Sequence, residues 1–440
     1  MAAQDPLDYL FSLEQYGIKL GLENIGRLCD ALGHPERAFE SLIVAGTNGK
    51  GSVAAMIDTG LRRAGLTTGR FTSPHLVDLE ERFVINGRPV STATLTAQAA
   101  PLKTTVHELI EAGQLDAPPT FFEATTAMAF ALFRQAGIQM GVLEVGMGGR
   151  FDATNIVSPT AAVITTIDLD HQQYLGQTLE EIAFEKAGVI KAGTVVVTGE
   201  TKPVALEVLR RACRERGARL VEAVAEVSTD VTVRNGVTEL SLTTPTRAYG
   251  PVTLSLRGHH QVTNATVAVR FLEELKVAIP ESAIRAALSD TAWPGRLELA
   301  QVADHRAVVM DAAHNVAAAR ALGRYLTAEF PAGMPIVLAA MRDKDVRGML
   351  EALGPCATRV FCPTLRTQRA WPARELAAIV SETLPELPVT VTDSAEAALE
   401  AAWQHAPTVC VAGSLYLVGD VRHSLATMRE TGRAPARVAG

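Results

Sequence analysis

The stretch SLIVAGTNGKGS, residues 41–52, decides how this chain is read. SLIVA is short, apolar and bounded by a glycine, the pattern of a buried strand. GTNGKGS, residues 46–52, follows as a glycine-rich loop, and residues 53–64 return to helical spacing. Strand, glycine loop and helix in that order are the setting a phosphate loop requires. Glycines let successive N–H groups turn toward phosphate oxygens, and the helix N-terminus adds positive potential. Lys50 can bridge the β- and γ-phosphates, and a hydroxyl near the helix start can reach Mg2+. The spacing is a variant. Val44 stands where the common pattern has glycine, and Gly51 separates Lys50 from Ser52. A plain strand–turn–helix is the alternative, and a lysine in this setting argues against it.

Outward from this unit, short β-rich runs alternate with helical patterns, which predicts a mostly parallel sheet wrapped by helices. Strands are expected at 67–71, 140–145 and 161–167, and helices at 122–136 and 179–187. The texture changes over 231–256, where Asn235-Gly236 stands between alternating residues, a hairpin signal. Helices are expected again at 262–275 and 281–288. AWPGR, residues 292–296, breaks helix and strand alike, and a second α/β rhythm starts after it. Its strands are expected at 307–310, 336–339, 359–361, 389–391 and 409–412. The expectation is an α/β protein of two domains. Residues 1–295 would form a P-loop-type, mostly parallel ATPase domain with a small antiparallel element. Residues 296–440 would form a Rossmann-like α/β domain without a phosphate loop of its own.

Composition narrows the partners. The 440 residues carry 41 basic and 48 acidic side chains, a net charge of −7, with no Lys/Arg block. Nothing electrostatic therefore points to nucleic acid or an anionic membrane. No stretch reaches the ~18–20 apolar residues of a membrane span, and MAAQDPLDYLF lacks the basic-then-apolar order of a signal peptide. Cys29, Cys213, Cys356, Cys362 and Cys410 show no zinc-ligand spacing and fit a reducing compartment. A cytoplasmic monomer is expected.

Further motifs carry chemistry. Glu144 ends an otherwise apolar run and opens EVGMGGRFDATN, residues 144–155. A buried carboxylate is costly unless it is paired or binds a cation. Strand carboxyl ends face the ligand crevice of an α/β sheet. A metal role and an ion pair with Arg150 both stay open. His171 closes DLDH, residues 168–171, at the next strand end. It reads as a metal ligand through neutral imidazole or as a hydrogen-bonded surface histidine. Lys186 lies in FEKAG, where a helical lysine ordinarily snorkels or pairs with an acid. Asp311 and His314 lie in VMDAAHN, whose Asn315 is a plausible helix N-cap. His259, His260 and Asn264 open a predicted helix, and an adjacent histidine pair diverges too much for a metal site.

In order along the chain stand AGTNGKGS, TSPH at 72–75, EVGMGGRFDATN, DLDHQQYLG, FEKAGVIK, WPGR and DAAHN. With these motifs the sequence resembles the dihydrofolate synthase/folylpolyglutamate synthase family, within the Mur-type ATP-dependent amide ligases. The likeness runs from residue 18 to residue 414. It implies that Thr47, Asn48, Gly49, Lys50, Gly51 and Ser52 bind ATP phosphates. It implies that Ser73, Glu144 and His171 surround Mg2+, as two ions, and that Lys186 is carboxylated on its amine. It further implies ATP contacts from Asn264, Arg296 and Asp311, and a supporting catalytic role for His314 beside Lys50 and Lys186. Thr120, Phe121, Phe122, Glu123, Phe151, Asp152 and Ala153 correspond to pterin-substrate contacts. EQYG, residues 14–17, matches the bifunctional pattern poorly, which weakens dihydropteroate as a substrate more than it weakens ligase chemistry.

The implied reaction has two stages. ATP phosphorylates a pteroate or folate carboxylate, and the amine of L-glutamate displaces phosphate from the acyl phosphate. Closure of the second domain, with Asp311 on ATP, would exclude water. A monofunctional folylpolyglutamate synthase is one alternative. A cell-wall precursor ligase of the same group is a second, with only 45 residues before Gly46 to hold its sugar-nucleotide domain. A nucleotide-dependent regulatory ATPase is a rival from another class.

Overall fold

The SLIVA run is the centre of the molecule's largest sheet. The computed structural model describes residues 6–303 and 305–430. Strand β1 (Glu40–Ala45) is buried from Ser41 onward. Seven more strands join it: β2 (Thr68–Phe71), β3 (Phe83–Ile85), β4 (Arg88–Pro89), β5 (Met140–Glu144), β6 (Ala161–Ile164), β7 (Val195–Thr198) and β8 (Arg219–Glu222). Their order is β4-β3-β2-β5-β1-β6-β7-β8. The pairs from β2 through β8 are parallel, while β3 and β4 close one edge antiparallel. The central parallel strands read as unbroken apolar runs because each is covered on both faces.

Register positions what matters. Val44 pairs with Glu144, and Ala45 pairs with Ile164. The carboxyl ends of β5, β1 and β6 therefore fall side by side, at the edge where a parallel sheet places its ligands. The helix after β1 runs Lys50–Arg63, starting three residues earlier than the expected 53. Gly49, at φ +87°, caps it in a conformation that glycine adopts without a Cβ penalty. β5 and β6 end at Glu144 and Ile164, short of the expected 145 and 167, as the chain leaves the ladder to line this edge. One long helix, Thr92–Glu111, was not legible. Its buried Leu95, Ala99, Leu102, Val106 and Leu109 do fall at helical spacing, but Pro101 among them reads as a breaker.

Three further strands, β9 (Ser228–Arg234), β10 (Val237–Thr243) and β11 (Ala248–Thr253), form the small antiparallel element in the order β11-β10-β9. Its first turn is Asn235-Gly236, at φ +52° and +70°, the two positive values a tight hairpin of this kind needs.

The chain divides into two compact units. The first comprises Met1–Thr229, Ser241–Gly250 and Thr263–Thr291; the second comprises Asp230–Leu240, Pro251–Val262 and Ala292–Gly440. The second unit contains β12 (Glu298–Ala303), β13 (Arg306–Met310), β14 (Met334–Leu338), β15 (Ala357–Pro363), β16 (Val389–Thr392) and β17 (Thr408–Ala412). They order as β12-β13-β17-β14-β15-β16, parallel except for the edge strand β12. Val309, Ile336, Leu338 and Cys410 pack its core under flanking helices. Among the described residues no helix is long and apolar enough to cross a membrane.

Candidate active site

The loop after β1 is held from behind by the strand beside it. Thr165 Oγ1 donates to Asn48 O at 2.7 Å and to Ala45 O at 3.2 Å. Thr47 N donates to Thr166 O at 2.6 Å, and Thr47 Oγ1 receives Asp168 N at 3.0 Å. A Cβ at Gly46, φ +141°, would strike the Thr165 hydroxyl. A Cβ at Gly49 would strike the Asn264 carboxamide, so the fold brings Asn264 against the phosphate loop. Lys50 Nζ folds back onto the loop, donating to Gly46 O at 3.2 Å and to Thr47 O at 3.1 Å. Ser52 is buried in the first turn of the helix.

Glu144 is buried at the end of β5, and its Oε2 accepts the Ser73 N–H at 3.2 Å. Ser73 follows β2, so strand order alone brings these two together. The alternative partner goes elsewhere. Arg150 pairs with Glu185 at 3.7 Å and lies over the rings of Phe151 and Phe184 at 4.6 and 5.3 Å. His171 stands beyond β6 at φ +50°, an unusual backbone state for a non-glycine residue, with its N–H on Asp170 Oδ1 at 2.9 Å. Among the described residues no three His, Cys, Asp or Glu side chains cluster as a ready metal cage.

Lys186 neither snorkels nor forms a simple ion pair. It is 4% exposed, and its Nζ donates to Gly46 O at 2.8 Å. Burial, reinforced by the charge of Lys50, lowers its pKa to about 7, against the opposing pull of Asp170 and Asp152. A buried lysine near pKa 7 is half neutral amine at physiological pH, the form that attacks carbon dioxide to make a carbamate. The position therefore fits the implied carboxylated lysine, and oxygen donors from Glu144 and Ser73 suit a hard divalent cation.

The residues expected to meet a pterin are largely engaged with one another. Thr120 and Glu123 form a capping box for the helix Phe121–Ala136: Glu123 Oε2 receives Thr120 N at 2.7 Å and Thr120 Oγ1 at 2.9 Å. Phe121 stacks on Phe11 at 6.0 Å with Arg82 over its ring. Phe122 packs on Phe71. Asp152 receives Met147 N, Thr154 N and Thr154 Oγ1, at 3.0, 3.0 and 2.6 Å, tying the GMGGRFDAT turn together. Ala153 is buried, while Phe151 is 37% exposed.

The second unit holds the other three candidates. Asp311, at the end of β13, accepts Leu297 N at 2.8 Å and Ala313 N at 2.9 Å. Burial raises its pKa while Arg296 pulls it down. Arg296 donates to Gly295 O at 3.0 Å. His314 Nδ1 lies 2.8 Å from Ala312 O, so Nδ1 carries the proton. Asn315 caps its helix through Ala318 N at 2.9 Å, the role expected of it.

Sequence reasoning missed Asp170 and the Thr165–Thr166 brace. The signal was a pair of threonines ending an apolar strand. It also missed Lys202, which pairs with Asp168 at 3.1 Å and Glu200 at 3.7 Å behind the loop.

Two family models match. The Mur ligase middle domain covers residues 90–272, and the Mur ligase glutamate ligase domain covers residues 295–415. The chain is 35% identical, over 96% of its length and 99% of the relative's, to a dihydrofolate synthase/folylpolyglutamate synthase of Bacillus subtilis. It is similar in structure to Escherichia coli FolC in complex with DHPP and ADP: TM-score 0.86, 31% identity, 98% of this chain and 99% of that one. It is also similar to a bifunctional folylpolyglutamate synthase/dihydrofolate synthase of Yersinia pestis complexed with AMPPNP and Mn ion: TM-score 0.83, 31% identity, 97% and 99%.

Proposed function

The chain belongs to the dihydrofolate synthase/folylpolyglutamate synthase family of Mur ligases, and from that premise we propose that it joins L-glutamate to dihydropteroate and to the γ-carboxylate of folate polyglutamates. The observation that carries this reading is the Gly46–Ser52 loop, with Asn264 against it, buried Lys186 bonded to its Gly46 carbonyl and buried Glu144 at the end of the adjacent strand β5. ATP is the activating substrate. Its γ-phosphoryl group passes to the acceptor carboxylate, and the glutamate amine then displaces phosphate with formation of the amide.

Thr47, Asn48, Gly49, Gly51 and Ser52 are proposed to hold the phosphates with backbone N–H groups and hydroxyls. Lys50 would turn from the loop carbonyls to the phosphoryl oxygens and offset the charge that builds there. Ser73, Glu144 and His171, with a carboxylated Lys186, are proposed to hold Mg2+ as two ions. When bound, the metal neutralises phosphate charge and orients the transferred group. Thr120, Phe121, Phe122, Glu123, Phe151, Asp152 and Ala153 are proposed to form the pterin side. Phe151 with its Arg150 neighbour presents the accessible surface there, while Asp152 and the Thr120–Glu123 box hold the shape. Asn264, Arg296 and Asp311 are proposed ATP contacts, and His314 a supporting group. The proposed functional division is 1–295 and 296–440, in a cytoplasmic monomer.

The test is an assay of the purified chain on dihydropteroate and on tetrahydrofolate, each with ATP and L-glutamate. Glutamylation of both is expected. Failure on dihydropteroate alone would leave a monofunctional polyglutamylase. Phosphate release that does not depend on glutamate would point instead to a regulatory ATPase and sink the ligase reading.

A further inference from the structure

The segment that follows β6 holds Thr47 from two sides. Thr47 N donates to Thr166 O at 2.6 Å, and the Thr47 hydroxyl receives Asp168 N at 3.0 Å and donates to Asp168 O at 3.1 Å. Ile167 stands between these two contacts and is itself gripped by the turn after β7. Glu200 Oε2 accepts Ile167 N at 2.6 Å, and Lys202 Nζ donates to Ile167 O at 2.8 Å. The turn is fixed in its own right, because Glu200 Oε1 accepts Thr201 N at 2.8 Å and Lys202 N at 2.7 Å.

Lys202 immediately precedes the helix Pro203–Arg216. A helix N-terminus disfavours a cation, so the ammonium is held there by the Ile167 carbonyl and by Asp168 Oδ1 at 3.1 Å, with Glu200 Oε1 at 3.7 Å. The two carboxylates differ. Glu200 is buried and its charge is met by three backbone N–H groups. The Asp168 side chain is 23% exposed and pairs with Lys202. Without Lys202, an Asp168 carboxylate would stand uncompensated in the residue whose backbone holds Thr47, behind a loop proposed to receive a polyanion. Like charges at such a place lower anion affinity.

We propose, on the reading of Gly46–Ser52 as the ATP phosphate site, that Lys202 is a positioning residue for the nucleotide: it cancels the Asp168 charge behind the loop and so sets the loop's affinity for phosphate anions. It touches no phosphate and acts through Asp168. A unit charge ~10 Å from a bound polyanion, near a protein surface, changes affinity by about three- to tenfold. The Lys202 side chain is 40% exposed, so the effect is open to screening by salt.

The test is a calorimetric titration of the full chain with AMPPNP and Mg2+, at about 0.1 M and about 1 M salt, where the screening length falls from about 10 Å to about 3 Å. Three variants are compared with the parent: Lys202→Met, Asp168→Asn, and the two combined. At the lower salt Lys202→Met should bind about three- to tenfold more weakly, and most of that deficit should disappear at the higher salt. Asp168→Asn alone should bind more tightly than the parent, a gain that a damaged fold does not produce. The double variant restores the local charge and should return to within about twofold of the parent. A double variant as weak as Lys202→Met, or a deficit equal at both salts, would reduce Lys202 to a fastener of the Ile167 carbonyl and overturn the proposal. So would Lys202→Met binding like the parent, or Asp168→Asn binding no tighter. A parent chain that does not bind AMPPNP would instead remove the ATP reading itself.

Discussion

Replacing Lys186 by methionine should stabilise the first unit while abolishing ligation. The magnitude follows from the fall of the amine's pKa from 10.5 to about 7 on folding. A tenfold change in proton affinity corresponds to about 1.4 kcal/mol, so burying this lysine costs about 5 kcal/mol at most. The sign is fixed by proton counting. Between pH 7 and 10.5 the unfolded lysine holds a proton that the folded one has released, so stability rises with pH across that window. The cost is full below about pH 7 and gone above 10.5. Methionine carries no such cost but forfeits the bond to Gly46 O, about 1 kcal/mol. Lys186→Met should therefore exceed the parent by about 3–4 kcal/mol at pH 7, and the gap should close by about 1.4 kcal/mol for each step of one in pH toward pH 9. Trp293, Trp371 and Trp403 all lie in the second unit, so tryptophan fluorescence would report the wrong half. Pulse proteolysis in urea, read by mass spectrometry on peptides from β1 and its helix, follows the right one. Bicarbonate-free buffer keeps the amine unmodified. A gap that stays constant from pH 7 to 9, or a variant less stable than the parent at pH 7, would refute the argument.

Lys50→Ala should eliminate ATP-dependent ligation with both substrates and leave the melting temperature within a few degrees; retained turnover would show that the phosphates bind elsewhere. Gly49→Ala forces a side chain into φ +87° and against Asn264, a strain of about 1–2 kcal/mol. AMPPNP affinity measured by calorimetry should fall at least about tenfold, and unchanged affinity would contradict the loop geometry. Thr120→Ala breaks the capping box and should cost about 1 kcal/mol of stability in urea titrations. Its KM for dihydropteroate should rise while its KM for ATP holds. An ATP effect as large as the pterin effect would place this helix start on the wrong substrate.

What the sequence made legible was local. SLIVA and the glycine loop announce themselves within twelve residues, and the AWPGR break needs no partner to be seen. Glu144 stood out because a carboxylate ends an apolar run. Whether it paired with Arg150 was not legible, because the answer depended on Glu185, thirty-five residues further on and brought back by a helix. The state of Lys186 was hidden more deeply. Its partner, Gly46 O, is 140 residues away, and periodicity near FEKAG says only that a lysine sits in a helix. The pterin candidates carry a structural role that the sequence also spells. Thr120 and Glu123 have the spacing of a capping box, and their oxygens are engaged in one.

The Gly46 carbonyl explains why these pieces belong together. It accepts Lys50 Nζ at 3.2 Å and Lys186 Nζ at 2.8 Å. Two ammonium groups on one oxygen repel, and that repulsion is the second cause, after burial, of the lowered pKa of Lys186. The arrangement is poor for two cations and good for one cation beside one neutral or anionic group. Carboxylation of Lys186 would reverse the sign of its interaction with Lys50 and turn repulsion into attraction. A phosphate drawing Lys50 outward would relieve the same crowding from the other side. Thr165 braces the loop on both sides of that carbonyl, at Ala45 O and Asn48 O. The buried amine is thus kept reactive by the same loop geometry that is proposed to receive the nucleotide, which ties the state of Lys186 to phosphate binding at Lys50.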